Sequence, residues 1–246
     1  MIIDIPDKTF KQVNLKTNVP LLECETSDDG IRFYETPEGN WYPSITTLLS
    51  QLSKEGLEKW AARVGKEVAE KEKKKGARRG TGLHEIAEQY LLNNFEDVQR
   101  RLKADAGHRL LFNAVKGYLN EIDFVAATEI ALWSDRFGLA GTCDCIADFR
   151  GKPCIIDFKT AKYLRKKEWI DNYFMQATFY SYAFQERTGI KVPNIAIIFA
   201  HDNGTSAVFE EHRDNWVKKL EQVNTKYREQ LFEGFREDDK KIKESV

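Results

Sequence analysis

Residues 141–160, GTCDCIADFRGKPCIIDFKT, restrict the fold more than any other stretch, because two strand-length runs are separated by no more than a turn. Residues 141–149 alternate apolar and polar side chains as a strand does. Arg150, Gly151 and Lys152 supply turn chemistry, and Cys154, Ile155 and Ile156 open a second β-favouring run. The expectation is a hairpin. Side chains alternate faces along a strand, so Asp157 and Lys159 project to one side and Phe158 to the other. With Asp144 on the partner strand, two carboxylates and an ammonium can aim at one point. One carboxylate from each strand suits a hard divalent cation such as Mg²⁺, which prefers oxygen ligands and keeps some waters. A lysine beside such an ion can orient or help deprotonate a water, or stabilise charge developing on a phosphate. Standing alone, D-x-K is the mark of an ordinary solvated hairpin, so its meaning depends on what converges on it.

Three other segments supply companions. In RRGTGLHEIAEQYLLNN, Thr81 is a candidate helix cap and His84, Ala87, Glu88 and Leu91 recur at i, i+3, i+4 and i+7. His84 and Glu88 thus share a helical face, either as a histidine satisfied by its i+4 carboxylate or as a metal ligand and its neighbour. Gln176 and Tyr180 form another i, i+4 pair on an aromatic helix beginning near residue 166 or 168. Glu129 stands in a candidate strand, FVAATEIALW, with Val125, Ala127 and Ala131 on its side. A carboxylate on so apolar a face needs a partner.

In this order, GTxxH on a helix, an acid in the strand before a hairpin, G-T-x-D, I-I-D-F-K-T and Q-x-x-x-Y resemble the RecB-type branch of the PD-(D/E)XK nuclease superfamily. The likeness is strongest to the mitochondrial genome maintenance exonucleases and their phage-encoded relatives. Tyr42-Pro43-Ser44-Ile45-Thr46 matches that group's early P-S-(I/V)-T segment, and Trp216 to Leu220 its late W-x-x-x-L helix. The resemblance covers about residues 41–232, and several motifs in sequence make it more specific than any one. It implies that Asp144, Asp157, the carbonyl of Phe158 and His84 ligate Mg²⁺ or Mn²⁺, with Glu129 a weaker candidate. It also makes Lys159 the catalytic lysine, with Gln176 and Tyr180 supporting the site and the nucleic-acid strand. Several such nucleases hold an iron–sulfur cluster on one early and three late cysteines. This chain has Cys24, Cys143, Cys145 and Cys154, and none later, so no such cluster is expected.

The cysteines also lack zinc-site spacing. Cys143 and Cys145 should point the same way from one strand, as core thiols of a reducing compartment. The chain has 246 residues and a net charge of −1, which argues against a general nucleic-acid coat protein. Its basic residues are nonetheless clustered. Lys71, Lys73, Lys74, Lys75, Arg78 and Arg79 precede the His84 motif, and Lys162, Arg165, Lys166 and Lys167 follow the D-x-K strand. Each cluster is a phosphate-binding surface or a solvated helix face; Ser44, Thr46, Arg78, Arg79, Thr81, Lys162 and Lys166 are the candidate DNA contacts. Phe33, Trp41, Tyr42 and Trp60 are core residues or stacking surfaces for a base. No run approaches the ~18 apolar residues of a membrane span, and the N-terminus resembles neither a secretory nor a mitochondrial signal, so a cytoplasmic protein of bacterial or phage origin is expected.

The fold expected is α/β, with a restriction-endonuclease-like core of mixed central sheet flanked by helices and a helical N-terminal lobe. One nuclease domain should span 1–246, with a hairpin region at 1–40, the helical lobe at 41–122 and the catalytic sheet and helices at 123–235. Helices are expected at about 45–52, 57–74, 81–93, 104–121, 167–187 and 214–233, and strands near 124–132, 141–149, 153–159, 193–200 and 205–210. The strand near 193–200 should lie parallel to the D-x-K strand through a helical crossover. The implied function is a metal-dependent exonuclease preferring single-stranded DNA ends, monomeric, with replication or recombination proteins as partners. A structure-specific endonuclease, or a DNA-binding scaffold without turnover, would use the same residues.

Overall fold

The structure, a computed structural model, describes residues 8–13, 15, 19–27 and 30–229. A six-stranded sheet of order β1-β5-β6-β7-β8-β9 forms its centre. The strands are β1 (Lys11–Gln12), β5 (Ile122–Ser134), β6 (Leu139–Phe149), β7 (Lys152–Ala161), β8 (Asn194–His201) and β9 (Ser206–His212). The expected meander of β5, β6 and β7 is antiparallel, and β7 pairs with β8 in parallel. Helix α5 (Asp171–Thr188) makes that crossover, as parallel strands require. The hairpin at 141–160 closes through Arg150 and Gly151, with φ of 56° and 74°. Two consecutive positive φ values make the turn that follows the sheet's own twist.

A second, three-stranded sheet joins β2 (Glu23–Thr26), β3 (Arg32–Glu35) and β4 (Trp41–Pro43). The expected N-terminal hairpin is its first half, though Asp28 and Asp29 at its turn lie outside the described residues. Trp41 is exposed, and Phe33, Tyr42 and Trp60 are only partly covered, so none of these aromatics is a fully buried core residue.

The helical lobe differs from expectation in its breaks. Helix α1 (Ile45–Val64) runs past residue 52 into the helix expected at 57–74, and α2 (Lys66–Leu91) joins the remainder of that helix to the one expected at 81–93. The single interruption is Gly65, at φ 90°, a conformation that costs a side chain too much. Thr81 therefore lies inside α2 and caps nothing; the helix pattern on both sides of it is continuous, and a threonine does not break such a run. Ser44 does cap α1, accepting from the Thr46 N–H at 3.3 Å. Between Leu49 and Gly82 the sole buried residue is Ala69, so most of α1 and the first half of α2 stand clear of the body. The short α3 (Phe95–Ala104) was not expected. It places Val98 and Leu102 in the core, and α4 (Ala106–Leu119) follows it. A final helix, α6, occupies 217–229; the rest of the helix expected to 233 and the charged tail lie outside the described residues.

Two apolar clusters cover the two faces of the main sheet. One joins α1 and α5 to the sheet through residues such as Ile45, Ile155, Phe179 and Ile197; the other joins α2, α3 and α4 through Leu83, Val98, Phe112, Ile156 and Phe158. Two register shifts in β5, between Ile122 and Val125 and between Val125 and Ala127, alter the alternation expected there. Val125 packs in the second cluster and Ala127 in the first, because each extra residue in a strand flips the faces that follow it. Cys143 and Cys145 likewise pack in different clusters, contrary to expectation, at the point where β6 parts from β7.

Candidate active site

The site forms where the sheet splits. Pairing of β6 with β7 runs from Phe149 and Lys152 to Cys145 and Ile156 and stops there, while β7 stays paired with β8 as far as Ala161. The backbone of Phe158 faces the gap, and side chains take its polar groups. Its N–H donates to Asp144 Oδ2 at 2.8 Å, and its carbonyl is 2.7 Å from His84 Nε2. A buried peptide group cannot go unpaired cheaply, so the split strand itself fixes Asp144 and His84. One step beyond the ladder, Asp144 and Asp157 occupy facing positions. The β5–β6 register sets Glu129 opposite Asp144.

The other ring nitrogen of His84, Nδ1, lies 3.5 Å from Asp144 Oδ2 and 4.0 Å from Glu129 Oε1. His84, Glu129 and Asp144 each offer a ligand atom, all within 4.8 Å of one another. Glu129 has φ 44°, which costs of order 1–3 kcal/mol for a residue with a Cβ and is held by the surrounding sheet. Asp157 is not in that triplet. Its carboxylate is buried, with Lys159 Nζ 2.5 Å from Oδ2, and Oδ1 has no hydrogen-bond partner. Burial raises the Asp157 pKa, against the pull of Lys159. For Lys159, burial favours the neutral amine, but the charges of Asp157 and Asp144 outweigh it and the pKa rises, keeping it a cation. Tyr173 steadies the ammonium, which lies 5.1 Å from its ring centre.

Sequence reasoning missed Tyr173; its place one turn before Gln176 on the same helix was the available signal. Gln176 and Tyr180 are both buried, and Gln176 Nε2 donates to the tyrosine oxygen at 3.3 Å. Burial holds Tyr180 protonated by pushing its pKa well up. Its ring closes against Gly141, where an added Cβ would stand 3.0 Å from the hydroxyl.

Beside the triplet lies a concavity of about 480 Å³ lined by Gly80, Thr81, His84, Glu85, Glu88 and Glu129. Glu88 thus shares the face of His84, as the spacing requires. The concavity is acidic, and a phosphate could enter it only with a cation present. Oxygen donors, an imidazole and an unpartnered buried carboxylate oxygen fit Mg²⁺ or Mn²⁺.

The proposed DNA contacts are placed unevenly. Thr46, Thr81, Lys162 and Lys166 are exposed. Ser44 is buried with its hydroxyl 2.7 Å from that of Thr46. Arg78 is paired with Asp105 at 2.7 Å, and Arg79 with Asp202 at 2.8 Å. These two arginines already have acidic partners, whereas of the neighbouring lysines in the sequence cluster only Lys73 has an acid within ion-pair distance among the described residues, Glu70 at 3.9 Å. Cys143, Cys145 and Cys154 are buried thiols whose pKa burial raises, and Cys24 is exposed.

The chain is 26% identical over 235 residues to mitochondrial genome maintenance exonuclease 1 of Homo sapiens, covering 83% of this chain and 64% of that protein. It is also 26% identical over 216 residues to the protein of the same name in Mus musculus, covering 76% and 60%. The chain thus spans less than two thirds of the length of both relatives. A crystal structure of a Eubacterium rectale protein is 13% identical, with a TM-score of 0.44 over 62% of this chain and 66% of that one. The family model of the PD-(D/E)XK nucleases matches residues 55–244, a span that contains His84, Glu129, Asp144, Asp157, Lys159, Gln176 and Tyr180. The chain belongs to the PD-(D/E)XK nuclease superfamily.

Proposed function

We propose that this chain is a Mg²⁺- or Mn²⁺-dependent deoxyribonuclease that acts as an exonuclease on single-stranded DNA ends, in replication, repair or recombination. The observation that carries it is the split between β6 and β7, where Asp144 and Asp157 face each other beside Lys159, His84 and Glu129. The names of the curated relatives support the exonuclease choice. On this reading the protein is one monomeric nuclease domain, and Asp144, Asp157, His84, Glu129 and the Phe158 carbonyl hold the ion.

When bound, the divalent cation supplies Lewis acidity, neutralising the scissile phosphate and acidifying a nucleophilic water. Lys159 orients that water and stabilises charge at the phosphate, held in place by Asp157 and by the Tyr173 ring. Asp144 keeps the Phe158 carbonyl directed at the site by binding the same residue's N–H. Gln176 and Tyr180 brace the strands beneath it.

The test is digestion of end-labelled single- and double-stranded DNA with Mg²⁺, Mn²⁺ or chelator, together with circular single-stranded DNA. Linear single strands should be degraded with metal and spared with chelator, while circles survive. Cutting of circles would make the protein an endonuclease. Asp157→Ala should abolish metal-dependent cleavage with DNA binding retained. Lys159→Ala should abolish turnover yet still titrate with metal. Unchanged cleavage in Asp157→Ala would refute the assignment.

A further inference from the structure

The eight residues 162–169, KYLRKKEW, are all exposed, between buried Ala161 and buried Ile170. They begin three residues after Lys159, about 10 Å along an extended chain. Tyr163 is 71% exposed and Trp169 60%, a large apolar area for a monomer to leave in water beside a polar site. Each ring carries its own cation. Lys162 Nζ is 5.5 Å from the centre of Tyr163, and Lys166 Nζ is 5.4 Å from that of Trp169. Neither of these lysines has an acidic partner within ion-pair distance among the described residues, whereas Lys167 is tied to Glu211 at 2.6 Å.

The segment is anchored at its start, where the Ala161 carbonyl accepts from the Asp202 N–H at 3.2 Å, and at its far end by buried Ile170 and the Lys167–Glu211 pair; within it the Trp169 N–H closes a short turn onto the Lys166 carbonyl at 3.0 Å. The rings are thus presented from an anchored turn that follows directly on the D-x-K strand.

We infer that residues 162–169 form the surface over which an unpaired nucleic-acid strand runs as it meets the site, its bases stacking on Tyr163 and Trp169 and its phosphates meeting Lys162, Arg165 and Lys166. This rests on the nuclease reading and adds the path of the strand. Leu164, 65% exposed between the two rings, is apolar surface of the kind a protein partner also covers, but two rings each carrying a lysine without an acidic partner among the described residues match a polyanion with exposed base faces. A duplex hides those faces except at its ends, so the platform selects single strands.

The experiment measures binding by fluorescence anisotropy in the full chain carrying Asp157→Ala, with labelled oligothymidine and a labelled abasic strand of equal length. The double variant Tyr163→Ala, Trp169→Ala should lose about tenfold to a hundredfold in affinity for oligothymidine, and almost none for the abasic strand. Tyr163→Phe, Trp169→Phe should restore binding because the rings remain. Lys162→Gln, Lys166→Gln should weaken both ligands alike and flatten the salt dependence. Equal loss on both strands, or no loss on either, overturns the stacking platform and leaves the rings to a protein partner. Metal-dependent cleavage of oligothymidine by the unsubstituted chain, run in parallel, separates the two readings. Cleavage with undiminished affinity in the ring variants defeats the platform alone, and a chain that neither binds nor cuts the strand defeats both.

Discussion

At the residue scale, the site depends on groups with little room to move. Gly141 shows this most simply. An added Cβ would come within 3.0 Å of the Tyr180 hydroxyl, 3.1 Å of Ile45 Cγ2 and 3.2 Å of Tyr180 Cε1, and both neighbours are buried. Neither can retreat without disturbing the first apolar cluster, so Gly141→Ala should cost about 1–3 kcal/mol in denaturant unfolding, as overpacking does. Because the displaced ring is the one bonded to Gln176, activity should fall further than stability alone explains. A neutral result would mean that Tyr180 has slack. Asp157 and Lys159 were legible at this scale, since period-two alternation alone puts them on one face. The role of the Phe158 N–H was not, because only the end of the β6–β7 ladder leaves that group for Asp144 to bind.

At the element scale, helix ends are where the sequence reading fared unevenly. Ser44 caps α1 and Thr81, the candidate cap, caps nothing: a threonine before an apolar periodic run looks the same whether or not the preceding turn is helical. Asp105, which caps α4, makes the element testable. Its carboxylate accepts from the Gly107 N–H at 2.8 Å and the His108 N–H at 3.1 Å. The His108 N–H is the chief cause lowering its pKa, against a smaller opposing cost of burial. A carboxyl whose folded pKa is depressed adds stability above its unfolded value, about 4, and loses it as pH falls through the folded one. Asp105→Ala should therefore destabilise the protein by ~1 kcal/mol at neutral pH, and the gap to the parent should close below about pH 4. Urea unfolding at the two pH values checks both the size and the sign.

At the scale of the whole molecule, two apolar clusters close the sheet without help from the charged residues at its split. A chelator should accordingly stop cleavage and leave the circular dichroism spectrum unchanged. Adding Mn²⁺ should raise the melting temperature by mass action, worth about 2.7 kcal/mol at a hundredfold excess over Kd. Asp144→Asn should remove that shift; its persistence would place the ion elsewhere. No helix among the described residues is long and apolar enough to cross a membrane. Local periodicity was enough to foresee the β5–β7 meander, the α5 crossover and the shared face of Asp157 and Lys159, because each depends on neighbours a few positions away. The register shifts in β5 depended on its pairing with β6, and the meeting of His84 with Asp144 and Glu129 on packing between segments 45 to 60 residues apart. Spacing within one segment carries no information about such a meeting; the parting of β6 from β7 brings it about, by leaving one peptide group of Phe158 for His84 and Asp144 to satisfy.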